Sequence, residues 1–318
     1  MTARELTDAE IDSLVRDMES LRGGSSAAAA LIGCGARAIP PLRHSLLEGK
    51  PRGIFQPRQL TVETLAELGA KEVLIEYLLD DPPIRDPVVR HAEDVVRSTA
   101  ARELGRWQSN DVFECLRQVT LEQLLPGAVE SLGLFRRTEV MPYFLWALGD
   151  DVCRSYAEEA IRKLGEPAKP YLLRAANSPS PSTAEETPSS FIRRRWALRI
   201  LSDLNLAEQD WPKLRNLLCE DDPEIVITVA RIGLATAPLP DKWQGVRRVI
   251  AMLPRADWFL RTEARAALAQ HFDIAQELVE DEIARRKKIS PKAQALDVVL
   301  RVLVNLRNQV LESGVSRH

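Results

Sequence analysis

The sequence predicts an all-α chain, a right-handed α-α superhelix of about eight stacked helix pairs, on three observations. A glycine-to-proline turn recurs between apolar helical stretches. An arginine followed by small residues recurs in the helix ahead of that turn. The copies return at uneven intervals of about 30 to 40 residues, a period that belongs to solenoids rather than to a single globular core.

The turn is clearest in Gly35-x-x-Ala38-x-Pro40-x-Leu42 and its copy Gly165-x-x-Ala168-x-Pro170-x-Leu172. Val140-x-Pro142-x-Phe144 and Trp211-Pro212-x-Leu214 are looser copies. Glycine ends one helix, and proline opens the next because its missing N–H has no intrahelical partner in a first turn. The arginine marker stands at Arg58, Arg97, Arg154, Arg194 and Arg261, with small residues behind it, as in Arg154-x-x-Ala157-x-x-Ala160. Small residues at that spacing let neighbouring helices approach closely. Weaker copies fall near Leu125-Pro126-Gly127-Ala128 and Ile227-Thr228-Val229-Ala230.

The organisation follows in order. Residues 1–23 form an N-terminal capping helix, opened by the capping box Thr7-Asp8-Ala9-Glu10, carried by Ile11, Leu14, Val15, Met18 and Leu21, and stopped at Gly23-Gly24. Residues 24–176 hold repeats one to five. Residues 177–190, reading NSPSPSTAEETPSS, form a flexible loop, solvent filler or a partner-contact lid. Residues 191–288 carry three degenerate repeats, and residues 289–318 a C-terminal capping helix starting at Ser290-Pro291. Leu296, Val299, Leu300, Leu303 and Val310 share one face of that helix, with Val298, Val302 and Leu306 elsewhere around it. Such a helix packs deeply on its neighbours or pairs with a second copy of the chain.

The Val96-Arg97-Ser98-Thr99-Ala100-Ala101-Arg102-Glu103-Leu104-Gly105 segment and the Gly165–Leu172 segment together resemble the HEAT-repeat family, particularly its short bacterial, phycobilin-lyase-like form. The resemblance covers roughly residues 24 to 285 and weakens beyond Asp203. It implies an armadillo-like α solenoid that works as a protein-binding scaffold. The strict Trp-Leu-Gly-Tyr frame of tetratricopeptide repeats cannot be placed.

Composition narrows the function classes. With 43 basic and 46 acidic side chains, the net charge of −3 exerts no long-range pull on nucleic acid or anionic lipid, although a local patch stays possible. Cys34, Cys115, Cys153 and Cys219 are widely separated and never in a C-x-x-C pair, which reads as free thiols in a reducing cytoplasm. No stretch reaches the roughly 20 apolar residues that a membrane helix requires. No membrane partner is expected.

Reaction chemistry is sparse, and no catalytic residue, metal site or cofactor is predicted. His44, His91, His271 and His318 are dispersed, with no H-E-x-x-H. Deoxyhypusine hydroxylase, an enzyme built of HEAT repeats, carries iron on repeated His-Glu pairs; no histidine here is followed by glutamate. Gly33-Cys34-Gly35 lacks the preceding strand and third glycine of a phosphate-binding loop. The acid pairs Asp80-Asp81, Asp150-Asp151 and Asp221-Asp222 precede helices and read as caps rather than as catalytic carboxylates. Arg193, Arg194 and Arg195, beside Trp196, form a candidate basic patch. With six tryptophans they keep open a nucleic-acid reading resembling the HEAT-like alkylpurine DNA glycosylases, against the acidic net charge. A third reading is an accessory protein resembling the phycobilin lyases, which rests on fold resemblance alone.

A binding face follows from the prolines. Two and six residues after them stand Leu42, Phe144, Leu172, Leu214 and Leu46, Leu148, Ala176, Leu218, which read as core. One and four residues after stand Pro41, Tyr143, Tyr171, Lys213 and His44, Trp146, Arg174, Asn216, which share another face. In HEAT arrays second helices line the concave side. Tyr143, Trp146, Tyr171 and Arg174, with His44, are therefore the candidate binding residues for a protein or peptide partner, being types enriched at hot spots. In the opposing reading Tyr143 and Tyr171 pack between repeats and Trp146 covers a core edge.

Overall fold

The computed structural model describes residues 6–20, 22–179, 186–288, 294 and 296–315. Among these residues there are 17 α-helices, several short 3-10 helices and no β-strand. The chain divides into two units, residues 1–164 and 165–318. Each is an all-α solenoid of helices packed in neighbouring pairs.

The first unit runs α1 (Asp8–Asp17), α2 (Gly24–Gly33), α3 (Ile39–Leu47), α4 (Gln56–Glu67), α5 (Lys71–Leu79), α6 (Pro87–Leu104), α7 (Asn110–Glu122), α8 (Pro126–Leu134), α9 (Met141–Ala147) and α10 (Arg154–Leu164). The capping box of α1 forms as its residues require: the Glu10 N–H donates to Thr7 Oγ1 and the Thr7 N–H to Glu10 Oε2 at 2.7 Å. The helix ends at Asp17, ahead of the glycine pair. Leu21 lies outside the described residues.

Gly35, Gly69 and Gly165 have φ of 62°, 75° and 66°, the left-handed conformation that an L side chain resists. They break the first helix of a pair so that a short 3-10 or α turn can restart the second. Pro40, Pro142 and Pro170 then sit in the first turns of α3, α9 and α11 (Lys169–Ala176). The Trp211-Pro212 copy departs from this pattern. It lies in two 3-10 helices, Glu208–Lys213 and Arg215–Cys219, instead of an α-helix. Its core register nevertheless survives, because Leu214 and Leu218 are fully buried.

First helices stack on first helices: α2 on α4, α4 on α6, α6 on α8 and α8 on α10. The small residues permit this with backbones almost touching. A Cβ on Gly127 of α8 would lie 1.8 Å from the carbonyl oxygen of Ser98 on α6, and one on Gly133 would lie 2.8 Å from Ala160 Cβ on α10. The Gly127 N–H donates to Ser98 Oγ at 2.9 Å, and Ser131 Oγ to the Ala101 carbonyl at 2.8 Å. Second helices are instead bridged by long charged side chains, Arg43 to Glu76 between α3 and α5 and Lys71 to Asp111 between α5 and α7.

The second unit begins with α11 and continues with α12 (Pro188–Ser202), α13 (Pro223–Thr236), α14 (Leu239–Met252), α15 (Trp258–Gln270), α16 (Phe272–Arg286) and α17 (Val298–Val315). The segment expected to be a loop, 177–190, ends in structure. Thr187 caps α12 and Pro188–Ser190 are its first turn, while residues 180–185 lie outside the described set. Ser290-Pro291 also lies outside the described residues; Asp297 caps α17 through the Leu300 N–H at 3.0 Å. Val299, Leu300, Leu303 and Leu306 are buried where α17 packs on α15 and α16, whereas Leu296, expected on the same face, is 79% exposed and Val310 is half-buried, so the packing covers only part of that face.

The recurring arginines have a role that spacing alone does not reveal. Each reaches back to carbonyls left unpaired at the end of the preceding second helix. Arg58 donates to Leu46 and Gly49, Arg97 to Leu78 and Asp80, Arg154 to Leu148, Arg194 to Ala176, and Arg261 to Leu253 and Pro254. The last carbonyls of a helix have no intrahelical donor and carry the negative end of its dipole, so a guanidinium answers both needs. An arginine thus locks each of these five second helices to the next pair, while α8, which has no arginine, follows α7 without such a cap. Leu218 and Glu220, at the end of the 3-10 segment, receive the same cap from Arg248 of α14 instead of from α13.

Candidate functional site

The face predicted from the prolines is real at the level of side-chain direction. Leu42, Phe144, Leu172 and Leu214, and Leu46, Leu148, Ala176 and Leu218, are all buried to within 1%. On the other face His44 and Arg174 are exposed, Tyr143 and Tyr171 are half-buried, and Trp146 is 49% exposed. Helix α9 buries Met141, Phe144 and Ala147 and leaves about half of the indole open to solvent, so Trp146 is not a core residue, while a place over the core edge stays compatible with this exposure.

These residues do not gather equally. Tyr143 and Trp146 lie one turn apart on α9 in the first unit, and Tyr143 lies near Arg117 of α7, whose guanidinium pairs with Glu114. Tyr171 and Arg174 lie one turn apart on α11 in the second unit. His44, on α3, faces Glu48 at 3.1 Å and lines an open groove with Asp12 and Arg16 of α1 and with Glu19 just beyond it.

The basic triad requires correction. Arg194 is 1% exposed; its three nitrogens meet the Ala176 carbonyl, Glu186 at 2.6 Å and Glu220 at 2.6 Å. It is a helix cap with two carboxylate partners and presents nothing to a ligand. Arg195 is held by Asp222 and Glu224, and Arg193 by the Ser178 carbonyl and Ser190, with burial lowering the Arg193 pKa. Consecutive helical residues point about 100° apart, so a run of three cannot build one basic face.

The acidic pairs divide. Asp150 accepts from the Val152 and Cys153 N–H groups ahead of α10, and Asp222 from the Ile225 N–H of α13. At the first pair the cap of α6 is Asp86 instead, while Asp81 pairs with Arg90 and Arg97. No group of three or more His, Cys, Asp or Glu side chains that could hold a metal ion occurs among the described residues.

All four cysteines are free. Burial pushes the Cys115 thiol up to about 11 and the Cys153 thiol up to about 12, with Asp150 adding to the latter. Because the thiolate is the reacting species, a disulfide reagent at neutral pH should label exposed Cys219 first and half-buried Cys34 more slowly. Cys115 and Cys153 should react only after denaturation. Modification of either in the folded chain, followed by peptide mapping, would contradict this placement.

The class defined by these features is an all-α helical-repeat protein whose fold fits a HEAT-like solenoid, with aromatic side chains held outward on second helices. No family model matches the sequence. No curated protein matches it either. A solved structure of human deoxyhypusine hydroxylase in complex with glycerol is similar over 85% of this chain and 97% of that one, at 18% identity and a TM-score of 0.31. No described helix is long and apolar enough to cross a membrane.

Proposed function

We propose that this chain is a non-catalytic scaffold that binds a protein or peptide segment on the outward face of its second helices. The observation that carries the reading is Trp146: a large aromatic side chain, 49% exposed, on a helix anchored by buried Met141, Phe144 and Ala147. Exposed tryptophan, tyrosine and arginine are the residue types that dominate binding hot spots, and a preorganised helix limits the ordering cost of using them. Tyr171 and Arg174 offer the same chemistry on α11. The internal pairing of Arg194 and Arg195 supports this reading over a nucleic-acid one, because it engages two of the cations that phosphate contacts would use. Four free cysteines fit a reducing, cytoplasmic setting.

A peptide-display selection on the immobilised full chain tests this. Peptides enriched on the wild type should be lost on a Trp146→Ala, Tyr171→Ala variant that keeps its far-UV helical signal and cooperative melting. Retention of the same peptides by the variant would overturn the reading.

A further inference from the structure

A groove lies in the second unit, between α15 and α17. Arg261, Arg265 and Arg301 line this open groove of about 290 Å³ with Trp258, Thr262, Val298, Val302 and Asn305. Among the described residues, no acidic side chain lines it. Arg261 is fixed by the Leu253 and Pro254 carbonyls. The guanidinium groups of Arg265 and Arg301 meet no carboxylate or hydrogen-bond acceptor among the described residues. Most arginines of this chain are paired, so two unpaired ones facing one groove from different helices mark a place where negative charge is missing.

The groove has an apolar shoulder. Trp258 is 75% exposed and Phe259 beside it 42%, the two rings meeting edge to face at 6.0 Å. Phe259 continues to Arg199, whose guanidinium lies 5.7 Å from its ring and is itself paired with Glu224. Glu263, the acidic residue of α15 nearest in sequence, is turned to Arg231 at 3.5 Å and does not neutralise the groove.

We infer that this groove binds an acidic peptide segment, its carboxylates on Arg265 and Arg301 and an adjacent aromatic or aliphatic side chain on Trp258. A planar guanidinium takes a carboxylate through paired N–H donors, and an exposed indole offers area to an apolar neighbour. Nucleic acid fits less well. Phosphate tracking requires a row of cations following the backbone, whereas these cations are confined to one groove on a chain of net charge −3. The site belongs to α15 and α17 and needs no residue of α9 or α11, so it stands or falls separately from the second-helix face.

Fluorescence anisotropy on the full chain tests the inference, with a fluorescein-labelled synthetic peptide of glutamates flanking phenylalanines as the probe. Three comparisons are made: the same peptide with glutamine for glutamate, a labelled thymidine oligonucleotide, and two variants checked by far-UV circular dichroism. The glutamate peptide should bind the wild type and weaken as salt is raised. Arg265→Glu with Arg301→Glu should weaken it at least about tenfold, and Trp258→Ala several-fold. The glutamine peptide and the oligonucleotide should bind at least about tenfold more weakly than the glutamate peptide. The inference is overturned if the wild type does not bind the glutamate peptide, if the folded charge-reversed variant binds it equally, or if the oligonucleotide binds more tightly. None of these outcomes touches Trp146 or Tyr171.

Discussion

Replacing Arg58 with alanine should unfold the first unit more readily than any other single truncation of its charged residues. The guanidinium is bidentate to Glu93, at 2.9 and 2.7 Å, and also caps the Leu46 and Gly49 carbonyls. Glu93 is 2% exposed, and its remaining donor is the Tyr77 hydroxyl at 2.6 Å. Without Arg58, a buried carboxylate keeps one phenol, and two helix-end carbonyls keep nothing. Breaking a buried pair in this way costs about 3–5 kcal/mol, which for a unit of this size lowers the melting temperature on the order of 10 °C. Glu93→Ala should cost less, because the guanidinium would retain both carbonyls and is 14% exposed. Arg58→Lys should fall between, keeping the charge but losing the forked geometry. Thermal and urea unfolding of the three variants check the order. A melting temperature for Arg58→Ala within a few degrees of wild type, or a larger loss for Glu93→Ala, would contradict it.

Gly127→Ala should be almost as damaging, though it adds a single methyl group. That methyl would fall 1.8 Å from the Ser98 carbonyl oxygen and 2.8 Å from its carbon, both backbone atoms of α6. Neither can yield by rotating a side chain, so α8 must move away from α6. That movement would loosen the Gly127 N–H bond to Ser98 and the Ser131 bond to Ala101. Overpacking of this kind costs about 1–3 kcal/mol or more, against at most about 1 kcal/mol that alanine would gain over glycine in an unconstrained helix interior. Gly53→Ala is the internal control, since its nearest contact would be a flexible Val88 methyl at 3.4 Å. Urea denaturation should separate the two; equal midpoints would mean that first helices are not packed backbone to backbone.

Much of this architecture was legible because backbone chemistry writes it. Glycine at positive φ and proline in a first turn have few other uses, so Gly35, Gly165, Pro40 and Pro170 fixed the turns. Counting from the prolines then placed Phe144 and Leu172 in the core and Trp146 outside it. The arginine at each rung was visible but its purpose was not, because its acceptors lie across the intervening loop in carbonyls that the sequence does not mark. Arg193, Arg194 and Arg195 looked like one patch because they are adjacent in the chain, but helical geometry points them in three directions. The start of α12 carried a readable signal, Thr187 followed by Pro188, hidden by the polar run before it. The arginine groove was illegible for another reason: Arg265 and Arg301 meet only through the packing of α15 on α17.

The central claim is that the second-helix face captures a peptide segment through outward aromatic residues. The ratio of dissociation constants for a display-selected peptide, wild type against Trp146→Ala with Tyr171→Ala, tests it most directly when melting temperature is read on the same samples. The account predicts a loss of about 2 kcal/mol or more, about thirtyfold in affinity, at an unchanged melting temperature. Equal affinities in the two folded proteins would contradict it.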